Sequence, residues 1–159
     1  MSRISMCALL FCLSSAIAFA QTPKDFNACA VVTAEDATAV LGAQAAGEPV
    51  NPKTKLPRVV PNCTYSGEVG GKLQSVKAQF RFFKSPAEAL ATLKEARLDV
   101  RGRPLIILGQ DAFWDNKQTQ LVIAKGGAIL TLIVGPAKDN ERLPEPARKL
   151  AEMVLPRLD

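Results

Sequence analysis

The chain contains no histidine. That absence removes Ser–His and Cys–His nucleophile pairs, imidazole acid–base chemistry and most catalytic zinc sites. A phosphate loop is missing too. Gly70-Gly71 and Gly126-Gly127 lack the G-x-x-x-x-G-K-[ST] spacing, and the second pair reads as a hairpin turn. Aromatics are few, with one Trp, one Tyr and seven Phe, and few of them interleave with the basic residues as a nucleic-acid surface requires. Asp111, Asp115 and Asn116 are too few and too widely spaced for an oxygen-ligand metal site, so no cofactor is expected.

What is present begins with a processing signal. Arg3 supplies a positive start, and Ile4 to Ile17 is an apolar, small-residue core too short to span a bilayer. Ala18-Phe19-Ala20 then forms an A-x-A cleavage site before Gln21. Residues 1–20 therefore read as a cleaved signal peptide, and residues 21–159 as one exported domain, periplasmic or secreted. Cys7 follows Met6 and Cys12 follows Phe11, so neither fits a lipoprotein anchor. Beyond the signal only Cys29 and Cys63 remain. An even pair in an oxidising compartment predicts a disulfide, and the spacing excludes a C-x-x-C redox site. The formal net charge is +5, Arg3 included, a mild excess that a solvated surface explains.

Along the chain, Cys29 to Val32 reads as a brief extended piece. Thr33 with Asp36 three residues on predicts a helix start, and Gly42 its left-handed stop. Residues 43–61 are proline-rich and loop-like, with Lys53, Lys55 and Arg58 as a basic cluster. Cys63 to Ser66 predicts a short strand. From Lys72 to Lys84, Val76, Ala78, Phe80 and Phe82 alternate with Lys77, Gln79 and Arg81, the period of a strand with one buried face. Ser85-Pro86-Ala87-Glu88 opens a helix reaching about Asp99, with Ala89, Leu90, Leu93, Ala96 and Val100 on one stripe and Leu98 off it. Arg97, Arg101 and Arg103 gather near its end, where the helix dipole favours cations.

Leu105 to Leu108 reads as a short strand or a buried loop. Then comes the organising stretch, Gly109 to Gly135: a segment with Phe113 and Trp114, a strand at Leu121 to Lys125, the Gly126-Gly127 turn, and the apolar strand Ala128 to Val134, which its composition places centrally. Leu143, Ala147, Leu150, Val154 and Leu158 make a final helical stripe. The fold class is α+β: an antiparallel sheet of about five strands with about three helices packed on it and one disulfide.

Cys29-x-x-x-Thr33-x-x-Asp36, Leu41-Gly42, Cys63-Thr64-Tyr65, Gly109-x-Asp111-Ala112-Phe113-Trp114, Leu121-Val122-Ile123 and Lys125-Gly126 follow one another in that order. This order resembles a broad set of exported bacterial domains of unknown function that includes mycobacterial lipoproteins and PknH-like kinase sensor domains. The fold of that set is similar to the PsbP-like α/β/α sandwich. The resemblance implies a secreted or periplasmic interaction module and brings no catalytic residues. The lipobox and second cysteine pair that often accompany the pattern are missing here.

Two functions follow. The first is a non-enzymatic binding module, monomeric and without a membrane anchor. It would meet an envelope protein or a small apolar ligand through Phe113, Trp114, Leu105, Ile106 and Ile107. The second is an envelope hydrolase acting on a glycan with Asp111 and Asp115, carboxylates flanking Trp114.

Overall fold

The computed structural model describes residues 23, 26–42, 45, 60–136 and 142–158. Residues 1–20, expected to be a signal peptide, and the basic cluster Lys53, Lys55 and Arg58 lie outside the described residues.

Local chemistry fixes the helix starts. Helix α1, Ala28–Val31, is capped by Asn27, whose Oδ1 accepts from Cys29 N–H at 3.0 Å. It replaces the extended piece expected at Cys29 to Val32; four residues are too few to show a helical period, and tertiary ties hold it. Helix α2, Ala34–Leu41, opens on a reciprocal box. Asp36 N–H donates to Thr33 Oγ1 (3.3 Å), Thr33 N–H donates to Asp36 Oδ2 (2.9 Å), and Gly42 ends the helix at φ 70°. Helix α3, Pro86–Val100, starts where expected, with Ser85 as cap and proline in the first turn. Glu88 reaches past the cap, however, and accepts from Lys84 N–H at 3.1 Å. Helix α4, Pro144–Val154, runs into a 3-10 turn, Leu155–Arg157.

The strands are β1 (Asn62–Val69), β2 (Lys72–Phe82), β3 (Arg103–Ile107), β4 (Gln110–Asp115), β5 (Gln120–Lys125) and β6 (Ala128–Pro136). They form one antiparallel sheet in the order β1-β2-β6-β5-β4-β3. Among the described residues the sheet thus has six strands where about five were expected, and four helices flank it where about three were expected. The additions are β3, read as strand or loop, and the single-turn α1.

Strand β6 is central, buried on one face and partly covered on the other, where Ile129 is buried and Thr131 and Ile133 are half-buried. Leu130, Leu132 and Val134 belong to one core with Phe80, Leu121, Ile123 and Trp114, under α1, α2 and α4. Ile129 belongs to a second, smaller core with Phe113, Val122, Ala124, Ala89 and Leu93, under α3. Because α3 covers only the β4–β5–β6 half of its face, the β1–β2 half carries Thr64, Lys77, Gln79 and Arg81 toward solvent. Cys29 and Cys63 form the expected disulfide, which ties α1 to β1. No helix among the described residues is long and apolar enough to cross a membrane.

The β3–β4 turn carries a strained residue. Leu108 and Gly109 sit at φ 48° and 77°, the pair of left-handed conformations of a type I′ hairpin. Leucine is a poor occupant of such a position, and Leu108 is 58 % exposed, so it gains little from packing. Leu108→Asn should therefore stabilise the fold by about 1 kcal/mol. A rise in urea midpoint at unchanged slope checks it.

Candidate groove between helix and edge hairpin

Helix α3 crosses from β2 at one side of the sheet to β3 at the opposite edge. Its end is a tight reversal. Arg101 takes φ 52°, and Gly102 N–H closes onto Arg97 O at 2.8 Å. A methyl group on Gly102 would lie 2.4 Å from Cδ2 of Phe113, a buried ring with no room to retreat. Glycine here lets the helix end settle against β4. Gly102→Ala should cost about 2 kcal/mol through overpacking and push α3 away from the hairpin. Chemical denaturation measures the first effect, and methyl shifts of Leu93 against Ala112 report the second.

Because β3 extends beyond the cover of α3, an open groove of about 280 Å³ separates helix from hairpin. Leu93, Lys94 and Arg97 form its helical side; Pro104, Ile106 and Asp111 form the hairpin side. Pro104 opposes Phe113 and Ile106 opposes Asp111 in the β3–β4 register, so all four share the face that α3 packs on. Ile106 is 63 % exposed. The side chains of Lys94 and Arg97 make no ion pair or hydrogen bond among the described residues. The site combines an exposed apolar floor with two uncommitted cations and one carboxylate.

Of the five residues expected to form a binding surface, Ile106 and half-buried Leu105 line this groove. The other three are core. Ile107, Phe113 and Trp114 are 1 %, 2 % and 4 % exposed. Neighbours on a strand face opposite ways. Trp114 enters the large core toward α4, and Phe113 enters the small core under α3. Both faces of β4 are covered, so both rings vanish from the surface. Lys94 is the residue that sequence reasoning missed. Arg97 was seen, but only as a cation at a helix end.

The carboxylate pair has a different fate. Asp115 is 1 % exposed, and its Oδ1 accepts from the backbone N–H groups of Lys117 (2.8 Å) and Gln118 (3.1 Å). Its other oxygen faces the Gln120 side-chain amide at 3.4 Å. This is a turn built on an aspartate. Asp111 lies four residues away along the same strand, roughly 13 Å at 3.3 Å per residue. Glycosidase carboxylates stand about 5 to 9.5 Å apart. The pair fits neither stereochemical course. Among the described residues no group of three or more His, Cys, Asp or Glu is placed to hold a metal ion.

No protein-family model matches the chain, and comparison with curated proteins and with solved structures finds no match.

Proposed function

We propose that residues 21–159 form an exported, non-catalytic binding module whose contact surface is the groove between α3 and the β3–β4 hairpin. The observation that carries this reading is Ile106. A large aliphatic side chain, 63 % exposed, stands at the rim of a concave surface facing two cations whose side chains have no partner among the described residues. Solvent exposure of such a residue gives the fold nothing, whereas a bound partner would bury it. The Cys29–Cys63 bridge supports an oxidising compartment, in line with the A-x-A signal at Ala18-Phe19-Ala20. The resemblance to exported interaction domains points the same way.

A photo-crosslinking amino acid placed at Ile106 tests the reading in intact cells. As a control it is placed at Leu73, equally bare at 57 % exposure but at the β1–β2 hairpin. A discrete adduct is expected from position 106 and none from position 73. Equal adducts from both, or none from either, would remove the groove as the contact surface.

A further inference from the structure

We propose that the groove receives an extended protein segment in which acidic side chains flank a large apolar one, gripped through side chains and not by addition of a strand. This rests on the groove being the contact surface.

Charge is sorted around α3. At 100° per residue, Lys94 and Arg97 fall on the flank beside the groove, while Glu88, Glu95 and Asp99 fall on the far flank. The groove therefore carries two cations against the single carboxylate of Asp111. Leu98, 68 % exposed, stands one turn from Lys94. Exposed aliphatic groups thus border the cations on both sides, Leu98 on the helix and Ile106 on the hairpin. An anionic partner with an apolar anchor complements this layout.

Size and shape select the class of partner. At about 280 Å³ the groove sits at the foot of the range for small-molecule sites, and being open to solvent it suits protruding side chains better than a whole enclosed ligand. It holds one or two protruding side chains. A lipid surface would meet Lys94 and Arg97 but has nothing that protrudes between the walls.

The edge chemistry then disfavours strand addition. Among the described residues β3 pairs on one side only, with β4. Ile107 and Gln110 flank the two-residue turn, and such a flanking pair exchanges both its hydrogen bonds. The backbone groups of the intervening residues, Pro104 and Ile106, accordingly face the open edge. Proline has no N–H, so an incoming strand would lose a ladder bond at Pro104. Recognition falls to side chains.

Selection of random displayed peptides against the folded protein tests the proposal, with Lys94→Glu/Arg97→Glu and Ile106→Ser variants of unchanged melting as comparisons. Enriched peptides should carry net negative charge and a large apolar residue. A synthetic copy should bind more weakly as salt rises, lose at least about tenfold in affinity on the charge-reversed variant, and lose affinity on Ile106→Ser. Enrichment without acidic bias, or binding indifferent to charge reversal, would overturn the acidic class while leaving the groove in place if Ile106→Ser still weakens it. Peptides indifferent to Ile106→Ser as well would overturn the groove itself. An empty selection overturns the peptide class. If phosphatidylglycerol vesicles then retain the protein and not its charge-reversed variant, the cations serve a membrane surface instead.

Discussion

The double variant Cys29→Ala/Cys63→Ala should lose about 4 kcal/mol of stability, the chain-entropy value for a loop of this length. The bridge spans 34 residues of sequence and joins a one-turn helix to the first strand of the sheet. Alanine is the right replacement, since Cys63 is fully buried and serine would add an unpaired hydroxyl. Most of the effect arises in the unfolded chain, which regains the freedom that the bridge denies it. A second part is local. Tyr65 donates its hydroxyl proton to Val32 O at 3.0 Å, and that carbonyl is held in place by the α1 docking that the bridge enforces. Domains of this size are stable by about 5–15 kcal/mol, so the variant should survive in the cold and fail under mild denaturant. The urea midpoint should fall by about 2 M at a slope near 2 kcal/mol/M. A drop below about 0.5 M would overturn the chain-entropy account of the bridge.

The second large effect concerns a pair that no local pattern announces. Arg157, at the end of the chain's last turn, sends its guanidinium to Asp36 in α2. One nitrogen bonds Oδ2, the other bonds Oδ1 at 3.0 Å, and the first also reaches Val31 O at 2.8 Å. Asp36 is 5 % exposed. Burial alone would raise its pKa. The bonds from Arg157 and from Thr33 N–H, together with the positive charge, outweigh burial and hold the carboxyl below its ordinary value of 3.8. Arg157→Ala leaves a buried carboxylate without its cation and should cost about 3 kcal/mol at neutral pH, the lower end for a broken buried pair. The lower end applies because the arginine side chain is 41 % exposed and its removal admits water.

The pH dependence follows from the sign of the shift. In the wild type the folded pKa is depressed, so the stability that Asp36 contributes is complete above the unfolded value near 3.8. It is lost as pH falls through the lower folded value. In Arg157→Ala the bonds from Thr33 remain but those from the guanidinium and its charge are gone, so the folded pKa moves up toward the ordinary value and acidification costs the variant less than the wild type. The two stability curves should converge below the ordinary aspartate range. Denaturant midpoints between neutral pH and pH 3 measure this. Parallel curves would show that Arg157 acts through packing and not through charge.

That pair also marks how far the sequence could be read. Thr33 with Asp36, and Ser85 with Pro86, announce α2 and α3 because capping is chemistry between neighbours. The alternation from Lys72 and the apolar run from Ala128 announce β2 and the central β6, because a strand's burial is written with a period of two. Asp36, by contrast, reads as a helix-start residue, and its second role depends on a partner 121 residues away. Phe113 and Trp114 look like one aromatic surface until the crossing of α3 shows that each face of β4 has its own cover. The groove fails to appear in the sequence for the same reason. Lys94 lies on a helix and Ile106 on a strand, and only the crossover to the far edge brings them together.

That crossover also orders the assembly of the sheet in time. Strands β3 to β6 follow one another as successive hairpins, and β1 pairs with β2 as another. Only the β2–β6 ladder joins partners separated by α3 and by the whole meander. The loop that it closes is the long one, so its entropy must be met before its contacts form. The meander and the first hairpin are the early pieces, and their seam is the slow event. Truncating Val76 or Leu132, which meet near this seam, should slow folding, whereas truncating Leu155 at the chain end should mainly hasten unfolding.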